Sequence, residues 1–291
     1  MRLSLVIPCL NKQDPKLLEL LASIDKQDFP KDQMETLVIT EGTSESAKAI
    51  GIRKAKGEVI GILASDNELV YKDFLSTQYS YACTYGASYP SKYYHSKNDD
   101  ILNRYFSLIG GNDPLSFYMK KNDRCSYSGS YPNMLSGSIG DNGYFIQRKL
   151  IASTDLDNYY HIDNALEAKA GTIAVDSTIW HKTGGNIFSF FAKRYRYGLQ
   201  HAFNKNRRWH LVDFKQPKDI VRLIWFILFG LTLVQPLYLS FRGWIKIRDV
   251  AWFLHPVVTL MTILNYSALM IHIGLRKLFQ SLFAPTAGQR A

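Results

Sequence analysis

Two carboxylates, Asp66 and Glu68, flank an amide, Asn67, at the end of a short apolar run that starts after Gly57. Val59 to Leu63 has the length of a buried strand. Ligands of open α/β sheets bind at the carboxyl ends of strands. Hard cations take oxygen ligands and often share them with phosphates. The cluster could therefore hold a divalent metal and a diphosphate; the alternative is a strand followed by a solvated acidic turn. Basic side chains that could meet a diphosphate come later, at Lys182, Lys193, Arg194 and Arg196, around an aromatic run. Arginine forks match diphosphate oxygens. Most of that charge reads as a basic amphipathic helix on an anionic membrane surface, with one arginine reaching the diphosphate.

The elements that must position these groups alternate. Leu3 to Ile7 is an apolar run stopped by Pro8, and Thr36 to Thr40 is a second buried strand. Asp14 caps a helix with Pro15 at its first position, and Leu17, Leu18, Leu20, Leu21 and Ile24 give it an apolar stripe. Glu41-Gly42-Thr43-Ser44 has helix-capping chemistry, and the helix it opens runs to about Lys56, closed by a left-handed Gly57. Strand and helix alternate three times in about seventy residues, which predicts an α/β fold with a mostly parallel sheet and helices on both faces. The turn after the first strand is Pro8-Cys9-Leu10-Asn11, neither G-x-G-x-x-G nor a P-loop. Any nucleotide is then held by strand-end residues, Pro8 and Asn11 among them, and by a metal. Farther on, a helix is expected from Tyr71 to about Thr84, a strand from Ala87 to Tyr94 and a short helix from Asp100 to Ile109. Gly110-Gly-Asn-Asp-Pro114 then opens a long loop to Pro132. Tyr144 to Ile146, Ile173 to Val175 and Ser177 to Trp180 read as short strands.

The chain has 291 residues and a formal net charge of +10. Nucleic acid, anionic lipid head groups and phosphorylated substrates all fit that balance. Cys9, Cys83 and Cys125 lie far apart without metal-type spacing, which points to reduced thiols and a cytosolic catalytic part. The first residues lack the basic and long apolar regions of a signal peptide.

Three segments carry a resemblance. "LVIPCLN", "LVITEGTSES" and "AKAIGIRKAKGEVIGILASDNE" are similar to the opening strands and metal motif of inverting family-2 glycosyltransferases of the GT-A (Rossmann-like) fold. The match covers roughly the first 70 residues. It implies a nucleotide-sugar donor, Mn2+ or Mg2+, and inversion at the anomeric carbon. In this alignment Ala64 stands where the first aspartate of D-x-D is usual, and Asp66 stands at the second. Asp66 becomes the principal metal ligand and Glu68 the second. Glu41 takes the place of the aspartate that helps hold the base or ribose, with a turn carboxylate as its alternative. Lys48 stands at the basic position of the family's "ARN", or is a solvated helix lysine. Asp163, in Tyr160-His-Ile-Asp163-Asn164, is the catalytic-base candidate, with a helix N-cap as the alternative. His181 occurs where related enzymes place a histidine near the metal; a structural hydrogen-bonding role is the alternative.

Leu223 to Phe241 and Val250 to Leu275 contain no charged residue, and each has the length of a bilayer helix. The chain thus divides into a GT-A-like domain, 1–216, and a membrane-associated helical region, 217–291, with helices about 221–241 and 250–275. A simple two-span hairpin under a cytoplasmic catalytic domain would put Arg242, Lys246 and Arg248 outside, against the positive-inside rule. Spanning and re-entrant forms both stay open. The whole reads as a cell-membrane glycosyltransferase acting from the cytoplasmic side on a lipid-linked or polyprenyl-phosphate acceptor in cell-surface glycan synthesis. Membrane helices argue against nucleic acid as partner. The rivals are a degenerate transferase-like membrane scaffold, favoured by Ala64, and a sugar-nucleotide pyrophosphorylase-like enzyme, disfavoured by the missing glycine-rich loop.

Overall fold

A computed structural model of the chain describes residues 1–111, 113–119, 126–127, 142–156, 172–183, 185–202 and 212–282. Among the described residues, eight strands form one sheet: β1 Leu3–Pro8, β2 Met34–Ile39, β3 Val59–Ile62, β4 Asn67–Leu69, β5 Ala87–Tyr93, β6 Ser126–Tyr127, β7 Tyr144–Gln147 and β8 Thr172–His181. The order is β2-β1-β3-β7-β5-β8-β4, with β6 also on β8. β2, β1 and β3 are parallel, as the alternating pattern requires; β7 enters antiparallel between β3 and β5. β4 runs antiparallel to β8 and sets Asn67 opposite His181 and Glu68 opposite Trp180.

Side chains alternate across each strand, and helices cover both faces. Leu3, Leu5 and Ile7 of β1 pack with Leu17, Leu20 and Ile24 of α1 (Pro15–Asp25) and with Phe74 and Leu75 of α3 (Phe74–Tyr85). Val6, Ile60 and Ile62 face the other way, onto Ala49, Ile52 and Ala55 around α2 (Ser44–Lys54). Asp14 caps α1 by accepting from the Lys16 amide, with Pro15 at the first position. Gly57 departs from expectation. α2 stops at Lys54 and an extended Ala55, and Gly57 is not left-handed. Its need for glycine is close approach: a Cβ there would lie 2.5 Å from the Ser4 backbone nitrogen.

Among the described residues of the middle there is more helix than the composition promises; most of the expected loop from 120 to Pro132 lies outside the described residues. α4 (Ile101–Ile109) follows its Asp100 cap, and α5 (Pro114–Met119) forms inside the expected loop. The two expected strands near residue 175 are one continuous β8.

The C-terminal part consists of α6 (Ile187–Ala202), α7 (Pro217–Thr232), α8 (Val234–Lys246), a 3-10 turn Val250–Leu254 and α9 (His255–Leu282). The apolar run expected as one helix over 221–241 breaks at Leu233, whose φ is +57°, and α7 and α8 meet at a bend of 81°. Pro236 explains the position of the break, because proline lacks an N–H and clashes with the carbonyl one turn earlier. Among the described residues one helix, Val250–Phe279 with the turn included, is long and apolar enough to cross a membrane. α4, α6, α8 and the start of α9 share a core around Phe106, Phe190, Leu239 and the fully buried Trp252.

Candidate functional site

At the carboxyl ends of β1 and β3 lies a cavity of about 290 Å³. Pro8, Cys9 and Leu10 form one wall. Cys9 is fixed by donating its backbone N–H to the Ile39 carbonyl and its thiol to the Asn11 carbonyl. Gly42, Thr43, Ser44 and Ala47, the start of α2, form a second wall. Gly42 has φ +78°, and Thr43 and Ser46 close a reciprocal capping box. A helix start of this kind presents backbone N–H groups to anions. Lys193 and Tyr197, one turn apart on α6, form a third.

The floor is Ala64-Ser65-Asp66. Its shape comes from Asn67, which is buried: its side-chain oxygen accepts from the Ala64 N–H at 2.9 Å, and its amide nitrogen donates to Asn142. Asp66 is thereby held toward the cavity. His181 Nε2 lies 3.4 Å from Asp66 Oδ1, and the Lys182 N–H donates to the Asp66 carbonyl. Burial pushes the Asp66 carboxyl up, but His181, Lys193 and Lys16 together hold it below the ordinary carboxylate range. It is an ionised, oriented carboxylate at neutral pH. Lys16 Nζ donates to the Lys182 carbonyl at 2.7 Å and ties α1 to the end of β8 beside the cavity.

The cavity unites Pro8 and Asp66, and His181 touches Asp66. Glu68 is turned to Lys182 at 2.5 Å; Lys182 also bonds Glu19 and lies over the Trp180 ring. Burial lowers the Lys182 pKa, and the two glutamates more than offset that, leaving it raised. Asn11 is exposed, and its side chain accepts from the Gln13 N–H in a local turn. Glu41 points to solvent, 3.5 Å from Lys54. Lys48 is neither in the cavity lining nor solvated: its side chain is fully buried and paired with Glu45. Asp163 lies outside the described residues. Of the basic run, Lys193 reaches the cavity and Arg194 turns away to Asp113. Tyr197 shares the wall of Lys193 although no sequence motif marks it; its one-turn spacing from that residue is the signal that places it there.

Among the described residues, no group of three or more His, Cys, Asp or Glu side chains converges on a point. Asp66 with His181 is a two-residue donor set. It fits a hard divalent cation that takes its remaining ligands from phosphates and water, since such ions are often held by one or two carboxylates. A larger hollow, about 690 Å³, opens at the amino end of β3 between Gly57, Cys83 and Arg148, away from these strand ends.

No model of a known protein family matches the chain, and no curated protein sequence matches it. Solved structures resemble it. The mannosyltransferase PcManGT from Pyrobaculum calidifontis, in complex with GDP-Man and Mn2+, is 14% identical over 92% of this chain and 87% of its own, with a TM-score of 0.51. TarS from S. aureus, in complex with UDP-GlcNAc, is 14% identical over 92% of this chain and 90% of its own, with a TM-score of 0.46. The chain has a glycosyltransferase fold.

Proposed function

We propose that the protein transfers a sugar from a nucleotide-diphosphate donor to a lipid-linked or polyprenyl-phosphate acceptor at the cytoplasmic face of the cell membrane, with inversion, in glycan synthesis. The observation that carries this reading is the ionised Asp66 at the carboxyl edge, facing the start of α2 across a cavity that Lys193 also lines. One carboxylate for a cation, N–H groups for phosphate and a flexible ammonium make a site for a metal–diphosphate. The fold shared with a mannosyltransferase solved with GDP-Man and Mn2+ supports it.

Asp66 and His181 would hold Mn2+ or Mg2+. When bound, that cation neutralises charge on the departing diphosphate. Pro8 and the Gly42–Ser44 turn shape the donor's seat, and Lys193 adds positive charge where the leaving group departs. The Glu68–Lys182–Glu19 chain fixes the end of β8 and so the position of His181. Asp163 is the proposed base for a hydroxyl acceptor; an ionised acceptor phosphate needs little or none.

Purified protein in lipid should be screened against nucleotide-sugars for hydrolysis and for transfer to polyprenyl phosphate. Donor turnover that needs a divalent cation is expected; no turnover or binding with any donor would favour the scaffold reading. With a hydroxyl acceptor, Asp163→Asn should lower turnover by about 10²–10⁴-fold at unchanged donor affinity. Near wild-type turnover would remove Asp163 as the base.

A further inference from the structure

We propose that the C-terminal helices enter one leaflet of the bilayer without crossing it, as a wedge whose loops stay on the side of the α/β domain. This rests on the membrane reading above and goes beyond it by excluding both a two-span hairpin and a spanning α9.

The surface is apolar and turned outward. On α7, Val221, Trp225 and Leu228 recur at helical spacing and are about half exposed; on α8, Leu237, Phe241 and Ile245 do the same. The opposite faces, with Phe226, Gly230, Leu239 and Gly243, are buried in the protein. Such continuous exposed apolar stripes mark an interaction surface. Charge identifies the occupant as an anionic membrane. Exposed Lys218 flanks the stripe at the start of α7, and exposed Arg242, Lys246 and Arg248 close it after α8, whereas Arg222 turns inward to the Met119 carbonyl. Arg248 lies over the Trp244 ring, 4.1 Å from its centre. Basic residues and aromatic rings around an apolar face suit anionic head groups above acyl chains.

Crossing is excluded by what the loop touches. Asp249, directly after Arg248, is buried and holds His95 at 2.8 Å and Arg104 at 3.2 Å. His95 follows β5 and Arg104 lies on α4, both parts of the α/β domain. Trp252 is fully buried against the same region, and the Tyr105 hydroxyl pairs with His255 Nδ1 at 2.8 Å. A hairpin would place this loop beyond about 30 Å of hydrocarbon.

Length gives the same answer. α7 and α8 measure about 24 and 20 Å at 1.5 Å per residue, and they meet at 81°. α9 is long enough in total, but much of it lies along α6. Asn265 donates to the Phe191 carbonyl, Tyr266 meets Arg194, Leu269 crowds Gly198, and His272 pairs with the Tyr195 hydroxyl. α6 also carries Lys193, at the cavity, and an exposed Arg196, so it does not sit in hydrocarbon. Past His272, residues 273–282 add about 15 Å of helix, half of what a crossing needs.

The test uses the full chain reconstituted in vesicles of phosphatidylcholine mixed with phosphatidylglycerol, with Lys246→Cys and Lys277→Cys made separately at exposed positions. A membrane-impermeant maleimide is applied before and after detergent, and peptide mapping reads each cysteine against exposed Cys83 of the α/β domain. The wedge predicts that both new cysteines react to the same extent as Cys83 before detergent. Protection of Lys246→Cys while Cys83 reacts would establish the hairpin and overturn the proposal. Protection of Lys277→Cys alone would establish a spanning α9 and overturn it equally. In both cases the membrane reading survives. Failure of the protein to float with the vesicles would instead overturn the membrane reading, and this proposal with it.

Discussion

Asp66 faces three potential cations, His181, Lys193 and Lys16, that come from three different elements. Its folded pKa lies below its ordinary value, so the stability it contributes is present above about pH 4 and is lost as pH falls through the lower folded value. In chelator, the stability gap between wild type and Asp66→Asn should be full at neutral pH and should narrow below about pH 4, read by denaturant titration across pH. A gap that widens in acid would mean that the cations do not hold this carboxylate. Asp66 is legible in sequence because a carboxylate three residues past a buried apolar run lies near the strand end. His181 was legible only through resemblance, because the β4–β8 register that brings it near is not local. Lys48 misled in a physical way: residue type says cation, but only tertiary packing decides that α2 turns this position inward, against Glu45.

α6 joins the cavity to the C-terminal helices. Lys193 and Tyr197 line the cavity, while Phe190 and Arg194 face α4, Asp113 and α9. Asp113 does three jobs: it accepts from the Leu115 N–H at the start of α5, from Arg194 at 2.5 Å and from the Tyr266 hydroxyl. Burial lowers the Arg194 pKa, but Asp113 and Tyr266 leave it raised. Asp113→Ala should cost about 3–5 kcal/mol, the usual loss when one partner of a buried pair is removed, read as a fall in unfolding midpoint. An unchanged midpoint would show that α6 is held by apolar contact alone. Short-range signals made α1, α2, α3, α4 and the β1–β3 strands readable, and Asp113-Pro114 repeats the cap-and-proline signature of Asp14-Pro15. The loop reading missed α5 because Gly110-Gly111 dominated the local pattern. The break at Leu233 was not legible, since Pro236 alone allows either a kink or a stop.

Taken whole, the molecule is an α/β body whose C-terminal helices complete its core. Trp252, Val258 and Leu239 pack on α4 and α6. The 1–216 and 217–291 division made from hydropathy therefore runs through a shared cluster. A chain ending at Gln216 would uncover Leu102, Phe106, Phe190 and Phe191, and it should aggregate more than the full chain in detergent, measured by light scattering. A monodisperse, folded 1–216 fragment would show that the two parts stand alone. Hydropathy marks these helices as apolar but does not separate their exposed surface from the surface packed on protein.

Asp66 is the proposed centre of a metal–diphosphate site. Calorimetric titration of wild type and Asp66→Ala with GDP and UDP, with Mn2+ and with chelator, tests it most directly. One of these nucleotides is expected to bind wild type more tightly with Mn2+, and Asp66→Ala, folded by circular dichroism, to lose that metal-dependent gain. The same metal-dependent affinity in both proteins would contradict it.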